Sequence, residues 1–206
     1  MSDPAGHDQC CVRERLLDAA EDVVGRDGVV NLTLDAVAKQ AHLSKGGLLY
    51  HFPSKSALVT AVIERRVGQF ESLQQEFLAQ EPKEPGAYVR AYLKSRLAHV
   101  ARTPRNVHLS LMAAAGTDPQ YLEPVRRCST AWQARLEADA IDPVDATIVR
   151  LAIDGLGIGE LMGLPVPAGD FRQRILDRLM QLGGASAACS ANQHEQRESK
   201  KESNKE

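Results

Sequence analysis

Aromatic side chains are scarce in this chain of 206 residues, at 4%, and no β-branched alternation persists along it. A sheet protein would need both, so an all-α fold is expected, built on the plentiful Ala and Leu. The shortage also leaves little material for a stacking cage around a large planar ligand. Cysteine is equally uninformative as a framework. Cys10, Cys11, Cys128 and Cys189 form no CxxC pair and have no histidine at ligand spacing, which excludes a zinc site or disulfide scaffold on sequence grounds. Adjacent Cys10-Cys11 in a polar leader reads as exposed thiol, with redox sensing as the sharper alternative. No apolar run reaches the roughly 18 residues of a membrane span, and the N-terminus lacks a signal-peptide core, so a cytoplasmic protein without membrane contact is expected. GxSxG, paired carboxylates and Asp/Glu/His clusters are all missing; no catalytic residue, metal or cofactor is predicted.

Charge of one sign is also lacking, since the formal net charge is −2. Its distribution says more than its sum. Residues 36–66 hold Lys39, Lys45, Lys55, Arg65 and Arg66 against Glu64 alone, a local excess of four positive charges. A compact basic face on a near-neutral protein suits phosphate docking, although a solvated helix surface accounts for it as well.

The most informative stretch lies inside that window. Thr33 is a good N-cap, and Leu34, Val37, Ala38 and Ala41 follow at helical spacing. His42-Leu43-Ser44 interrupts, Ser44 caps a second short helix, and Pro53 bounds it. Two short helices across a three-residue turn are the plan of a helix-turn-helix, whose second helix enters the major groove. Here that helix opens on Lys45-Gly46-Gly47, where absent side chains let backbone approach a phosphate or base edge. Lys45 is the first choice for base readout at guanine O6 and N7, with a phosphate contact as the alternative. Tyr50, His51 and Lys55 supply phosphate donors, and Thr33 caps its helix with or without touching a phosphate. Leu48 and Phe52 are assigned to the core.

The run Ala38, Ala41, Leu43-Ser44-Lys45-Gly46, Leu48, His51-Phe52-Pro53-Ser54-Lys55 and Leu58 resembles the N-terminal domain of the TetR family of bacterial repressors. The match covers roughly residues 12–66. Two positions depart from it: His42 stands where members usually carry Gly, and Leu49 where many carry Tyr, so Tyr50 is expected to take more of the phosphate contact. The Gly-Leu-aliphatic-Tyr-His-Phe-Pro-Ser form is similar to a drug-sensing, efflux-regulating group within the family. The resemblance implies a homodimer on a double-stranded DNA operator, a small-molecule effector, and DNA-binding positions at Thr33, Ser44, Lys45, Gly46, Gly47, Leu49, Tyr50, His51 and Lys55.

Along the chain, residues 1–11 read as disordered, and a first helix over about 12–27 stops at Gly28. A long helix runs from Ser54 or Lys55 to about Gln80. Its early face (Leu58, Ala61, Val62) is predicted to serve the DNA-binding bundle and its later face (Phe70, Leu73, Phe77) another core. Further helices read at about 86–101, 104–115, 119–139, 143–163 and 168–183. The division expected is a DNA-binding domain over 12–66, a ligand-binding and dimerisation domain over 67–184, and a disordered tail over 185–206.

Within the second part, Leu151–Leu164 is apolar, with Asp154, Glu160 and four glycines inside it. A dinucleotide loop is a poor fit, because GxGxxG fails at Glu160 and no strand precedes it. Close approach of another helix or a ligand would offset the helix cost of the glycines, about 1 kcal/mol each. The resemblance implies that residues 143–183 form the dimer interface. Asp154 sits amid Ile153, Leu156 and Ile158 and must cap a helix break, pair with an Arg such as Arg150, or hold a cationic effector. Trp132 shares a face with Cys128 and Leu136, as core or as pocket lining. An effector set of Phe70, Leu97, His108, Met112, Trp132, Asp154 and Ile158 is predicted. The reading that results is a ligand-responsive repressor controlling an efflux pump. The alternatives are an α-helical binding protein or enzyme using Asp154–Glu160, or a regulator answering to a partner protein.

Overall fold

The computed structural model describes residues 4–184, with side chains from Cys11 onward. The predicted tail over 185–206, Cys189, residues 1–3 and the Cys10 side chain lie outside the described residues. The fold is all-α. Its helices are α1 (Pro4–Asn31), α2 (Leu34–Gln40), α3 (Lys45–His51), α4 (Lys55–Gln80), α5 (Ala87–Arg102), α6 (Arg105–Thr117), α7 (Glu123–Glu137), α8 (Pro143–Met162) and α9 (Gly169–Leu182), with a 3-10 turn over Pro119–Leu122. Most bounds fall within two residues of the sequence expectation. Two differ. The backbone of residues 4–11 is helical where a disordered leader is predicted, and the segment read as one helix over 119–139 opens as a separate 3-10 turn. Helical conformation does break at Gly28 (φ 77°, ψ 162°), then resumes to Asn31.

Among the described residues the chain divides into two compact units, one reaching to Glu71 and including Ala101–Thr130, the other holding Ser72–Val100 and residues 131–184. This differs from the sequence division at residue 66, which places 101–130 with the second part. The reason is apolar surface. α6 and the turn after it contribute Val107, Leu111, Ala114, Ala115 and Tyr121 to the core formed by α1, α2, α3 and the start of α4. Asn106 Nδ2 also donates to the Gly25 carbonyl at 2.7 Å. The centre of that core holds Leu16, Leu17, Val23, Val24, Val37, Leu48, Leu58, Val59 and Val62, none of them solvent-exposed. Burying one such side chain contributes about 1.5–3 kcal/mol.

The second unit packs the end of α4, α5, the end of α7, α8 and α9 around Val89, Tyr92, Leu93, Leu136, Ala146, Val149, Ile153, Leu176 and Leu179. It also encloses charge. Arg90, with its side chain 5% exposed, donates from Nε to Glu81 at 2.8 Å. Its Nη1 reaches the Pro85 and Gly183 carbonyls at 3.0 and 2.8 Å, while Lys94 adds a second cation to Glu81. Gly86 lets this clamp close: its φ is +82°, and a Cβ there would stand 2.0 Å from the Gly183 oxygen.

Candidate functional site

The helix pair is set by its caps. Thr33 Oγ1 accepts from Ala36 N at 3.1 Å and opens α2. Ser44 Oγ accepts from Gly47 N at 3.1 Å and opens α3. Between them α2 closes with Leu43 N donating to Ala38 O at 2.9 Å and His42 N to Lys39 O at 3.1 Å, the bond pattern of a Schellman turn. That turn needs a left-handed residue, and His42 supplies it at φ 53°. Histidine is among the side chains that reach this region more readily than most.

Leu48 (0%) and Phe52 (3%) hold α3 in the core, as predicted. The opposite face therefore points outward, with Tyr50 73% and Leu49 39% exposed. A Cβ built on Gly46 or Gly47 would meet only Ser44 Oγ, at 4.0 and 3.4 Å. Packing inside the protein does not demand either glycine, so both leave space for something outside. The Tyr50 and His51 rings meet edge to face at 5.2 Å.

The expected basic face is smaller than the sequence count. Lys45 Nζ pairs with Asp35 Oδ2 at 2.9 Å. Lys55 Nζ donates to the Val30 carbonyl at 2.8 Å, so its ammonium is held at the end of α1 in this structure. Arg65 is drawn to Glu14, Asp18 and Glu21 of α1, at 3.4, 2.7 and 2.5 Å, and Arg66 also pairs with Glu21. Burial opposes the charge of Arg65, but hydrogen bonds and attraction from Glu21 and Asp18 win and raise its pKa. Two of the five cations counted in residues 36–66 thus brace α4 against α1. Sequence spacing gives no hint of this, since the partners lie 44 to 51 positions away.

In the second unit α5, α7 and α8 bring polar groups together. Tyr92, 1% exposed, donates its hydroxyl to Asp154 at 3.0 Å. Arg96 Nε lies 2.8 Å from Asp154 and Arg150 Nε 3.7 Å. Arg150 Nη1 continues to Gln133 Oε1 at 2.6 Å. Burial, then the Asp154 charge, pushes the Tyr92 phenol well above its ordinary pKa. Of the readings open for Asp154, the arginine pairing is the one observed, with Arg96 closer than the predicted Arg150. The carboxylate thus faces two guanidinium groups. Glu160 likewise pairs with Arg172, at 2.9 Å.

Trp132 joins the cluster through an edge contact with Tyr92, at 6.4 Å between ring centres. Leu97 is half-buried on α5, and Ile158 is 43% exposed on α8. Phe70, His108 and Met112 belong to the first unit, Phe70 buried and Met112 43% exposed. The predicted effector set is therefore divided between the units, with Trp132 and Asp154 both touching Tyr92. Tyr92 and Arg96 carry no sequence signal of this role. Their spacing marks α5 as helical but not which side chain meets α8.

The glycines of α8 divide by face. A Cβ on Gly157 would lie 3.2 Å from Val100 Cγ2, and one on Gly159 would lie 2.6 Å from Val166 Cγ1, so these two permit close approach. Gly155 meets nothing within 4 Å. It falls on an outward stripe with Val144, Ile148, Leu151, Ile158 and Met162, 43–66% exposed. Among the described residues no helix is long and apolar enough to cross a membrane.

Comparison with known proteins fits this architecture at both ends. Residues 16–62 match the model for bacterial regulatory proteins of the tetR family, and residues 86–183 match that for the tetracyclin repressor-like C-terminal domain. The chain belongs to the TetR family. This TetR-family chain is 31% identical over 114 residues to the HTH-type transcriptional regulator UidR of Escherichia coli K12, an alignment covering 52% of it and 54% of UidR. It is 30% identical over 81 residues to the HTH-type transcriptional regulator AcrR of Shigella flexneri, covering 39% and 38%. The alignments thus span about half the length of UidR and less than two fifths of AcrR. Among solved structures, a TetR-family member from Streptomyces coelicolor A3 superposes with a TM-score of 0.62 at 24% identity, covering 82% of this chain and 97% of that one. The multidrug binding protein EbrR, complexed with imidazole, gives 0.60 at 23% identity, covering 90% and 93%. At such identities the likeness is one of fold.

Proposed function

We propose that this chain is a transcriptional repressor that binds a palindromic operator as a homodimer and is released by a small-molecule effector, with an efflux pump as its first candidate target. One observation carries the reading: α3 is anchored by Leu48 and Phe52 and turns Lys45, Gly46, Gly47, Leu49 and Tyr50 outward. A helix fixed on one side and open on the other suits insertion into a major groove. Thr33, Ser44, His51 and Lys55 flank it as backbone-contacting positions, Lys55 after giving up its bond to Val30.

The α8 stripe supports dimerisation through α8 and α9. Its apolar residues recur at helical spacing around an open Gly155, a surface a second copy would cover. A twofold dimer presents its reading helices about one helical turn of DNA apart. An effector in the second unit shifts operator occupancy only by its differential affinity for the two dimer states. That EbrR is a multidrug binding protein supports a small-molecule ligand here. The cluster of Tyr92, Arg96, Trp132, Arg150 and Asp154 is where we place it.

The test is selection of bound fragments from the source genome by purified protein at near-physiological salt, followed by sequencing. One enriched palindrome is expected; a pool no richer than background overturns the reading. Leu151→Glu, on a side chain 66% exposed, is expected to leave helicity intact and yield monomers in sedimentation. A dimer unchanged by it would remove α8 from the interface.

A further inference from the structure

The Lys45–Asp35 pair is placed at the reading end of the helix pair, yet an acid is an unusual neighbour for a group that meets DNA. Both side chains are exposed, 57% and 67%, and the bond spans α2 and α3 at 2.9 Å. Beside them Gly46 and Gly47 leave the surface bare. The ammonium has three donors, and Asp35 Oδ2 occupies one. Two remain for acceptors outside. The carboxylate can accept through its other oxygen. Presented together, the pair offers donor, donor, acceptor.

In the major groove a G·C pair offers the complement: guanine N7 and O6 accept, and cytosine N4 donates. An A·T pair offers acceptor, donor, acceptor and a methyl group, and so meets the ammonium with a donor at the middle position. Phosphate is a worse match still, since it attracts Lys45 but repels Asp35. We propose that Asp35 and Lys45 read one G·C base pair in each half-site as a unit, and that the Asp35 carboxylate holds Lys45 back from DNA lacking that pair. This makes Asp35 a specificity-determining residue, and it rests on the reading of α3 as the helix that enters the groove.

The proposal is tested by fluorescence anisotropy of the full chain on the selected operator, on operators carrying single base-pair substitutions, and on a scrambled duplex of equal length, over a salt series. Asp35→Asn is expected to tighten binding to the scrambled duplex and to lower the operator-to-scrambled ratio by about fivefold or more. Lys45→Met is expected to relax preference at the same base pair, and the double variant to add little to either single one. Asp35→Glu, which restores a carboxylate, is expected to recover part of the ratio. Three results overturn the proposal: a ratio unchanged by Asp35→Asn, equal weakening on both duplexes, or loss of preference at two different base pairs. If the wild-type chain prefers no duplex at all, the groove reading fails and this inference fails with it. That outcome is distinct from a selective wild type that is indifferent to Asp35.

Discussion

Among the described residues the first unit buries a single polar side chain, Thr103, beside its apolar cluster from Leu16 to Tyr121, whereas the second buries Gln74, Glu81, Arg90, Ser95 and His99 at 9% exposure or less. The two differ in what an error costs. An apolar core tolerates shape changes in steps of a methylene, while a buried ion pair fails as a whole when one partner goes. A head that must present one rigid surface is well served by the first kind of core. Closed polar networks have few alternative arrangements, which suits a unit whose helix positions must be set sharply.

The contrast is broken most directly at the clamp. Arg90→Met leaves the Glu81 carboxylate with Lys94 alone and the Gly183 carbonyl without its guanidinium, and is expected to cost about 3–5 kcal/mol in urea unfolding at fixed protein concentration. Glu81→Leu combined with Arg90→Met should recover more than half of that. A single-variant cost below about 1 kcal/mol would show that the pair behaves as a surface one. In the first unit Leu48→Ala is expected to cost about 2–5 kcal/mol, and to weaken operator binding because α3 loses its anchor. Stability lost without any change in binding at a temperature where the head is folded would detach Leu48 from the positioning of α3.

Smaller effects sharpen the comparison. Ser44→Ala removes the cap of α3 and should cost about 1 kcal/mol, read by thermal melting, with Ser44→Asp restoring most of it. The smallest concerns pH. Asp139 accepts from Val89 N at 2.8 Å, and its pKa is raised, chiefly by burial. A carboxyl with a raised folded pKa favours the folded state when protonated and loses that contribution as pH rises through the folded value. Asp139→Asn keeps an acceptor and removes the desolvated charge. A slight gain near neutral pH is expected, vanishing in the acid range where the native carboxyl is itself protonated. A gain of equal size at both ends would assign the effect to something other than titration.

Helix positions, both caps of the reading pair and its two anchors follow from local chemistry, since Thr33, Ser44 and Pro53 act on neighbours within four residues. The core and exposed faces of α3 follow from helical period. The charged groups escaped that logic. Arg65 and Arg66 read as part of a basic face until α1 presents Glu14, Asp18 and Glu21 to them, and Lys45 reads as solitary until Asp35 lies beside it. The apolar neighbours of Asp154 require a partner for it, but Tyr92 and Arg96 arrive from α5 and are invisible to spacing within α8.

By itself, then, the sequence determined an all-α chain of the TetR family, the order of its helices and the exposed face of α3, because periodicity, capping and motif are short-range properties of a chain. Tertiary structure alone decided that residues 101–130 pack with the head, which arginines face which carboxylates, and where charge is buried. Those outcomes depend on side chains many tens of residues apart competing for the same partners, and only the packed helices bring them within reach.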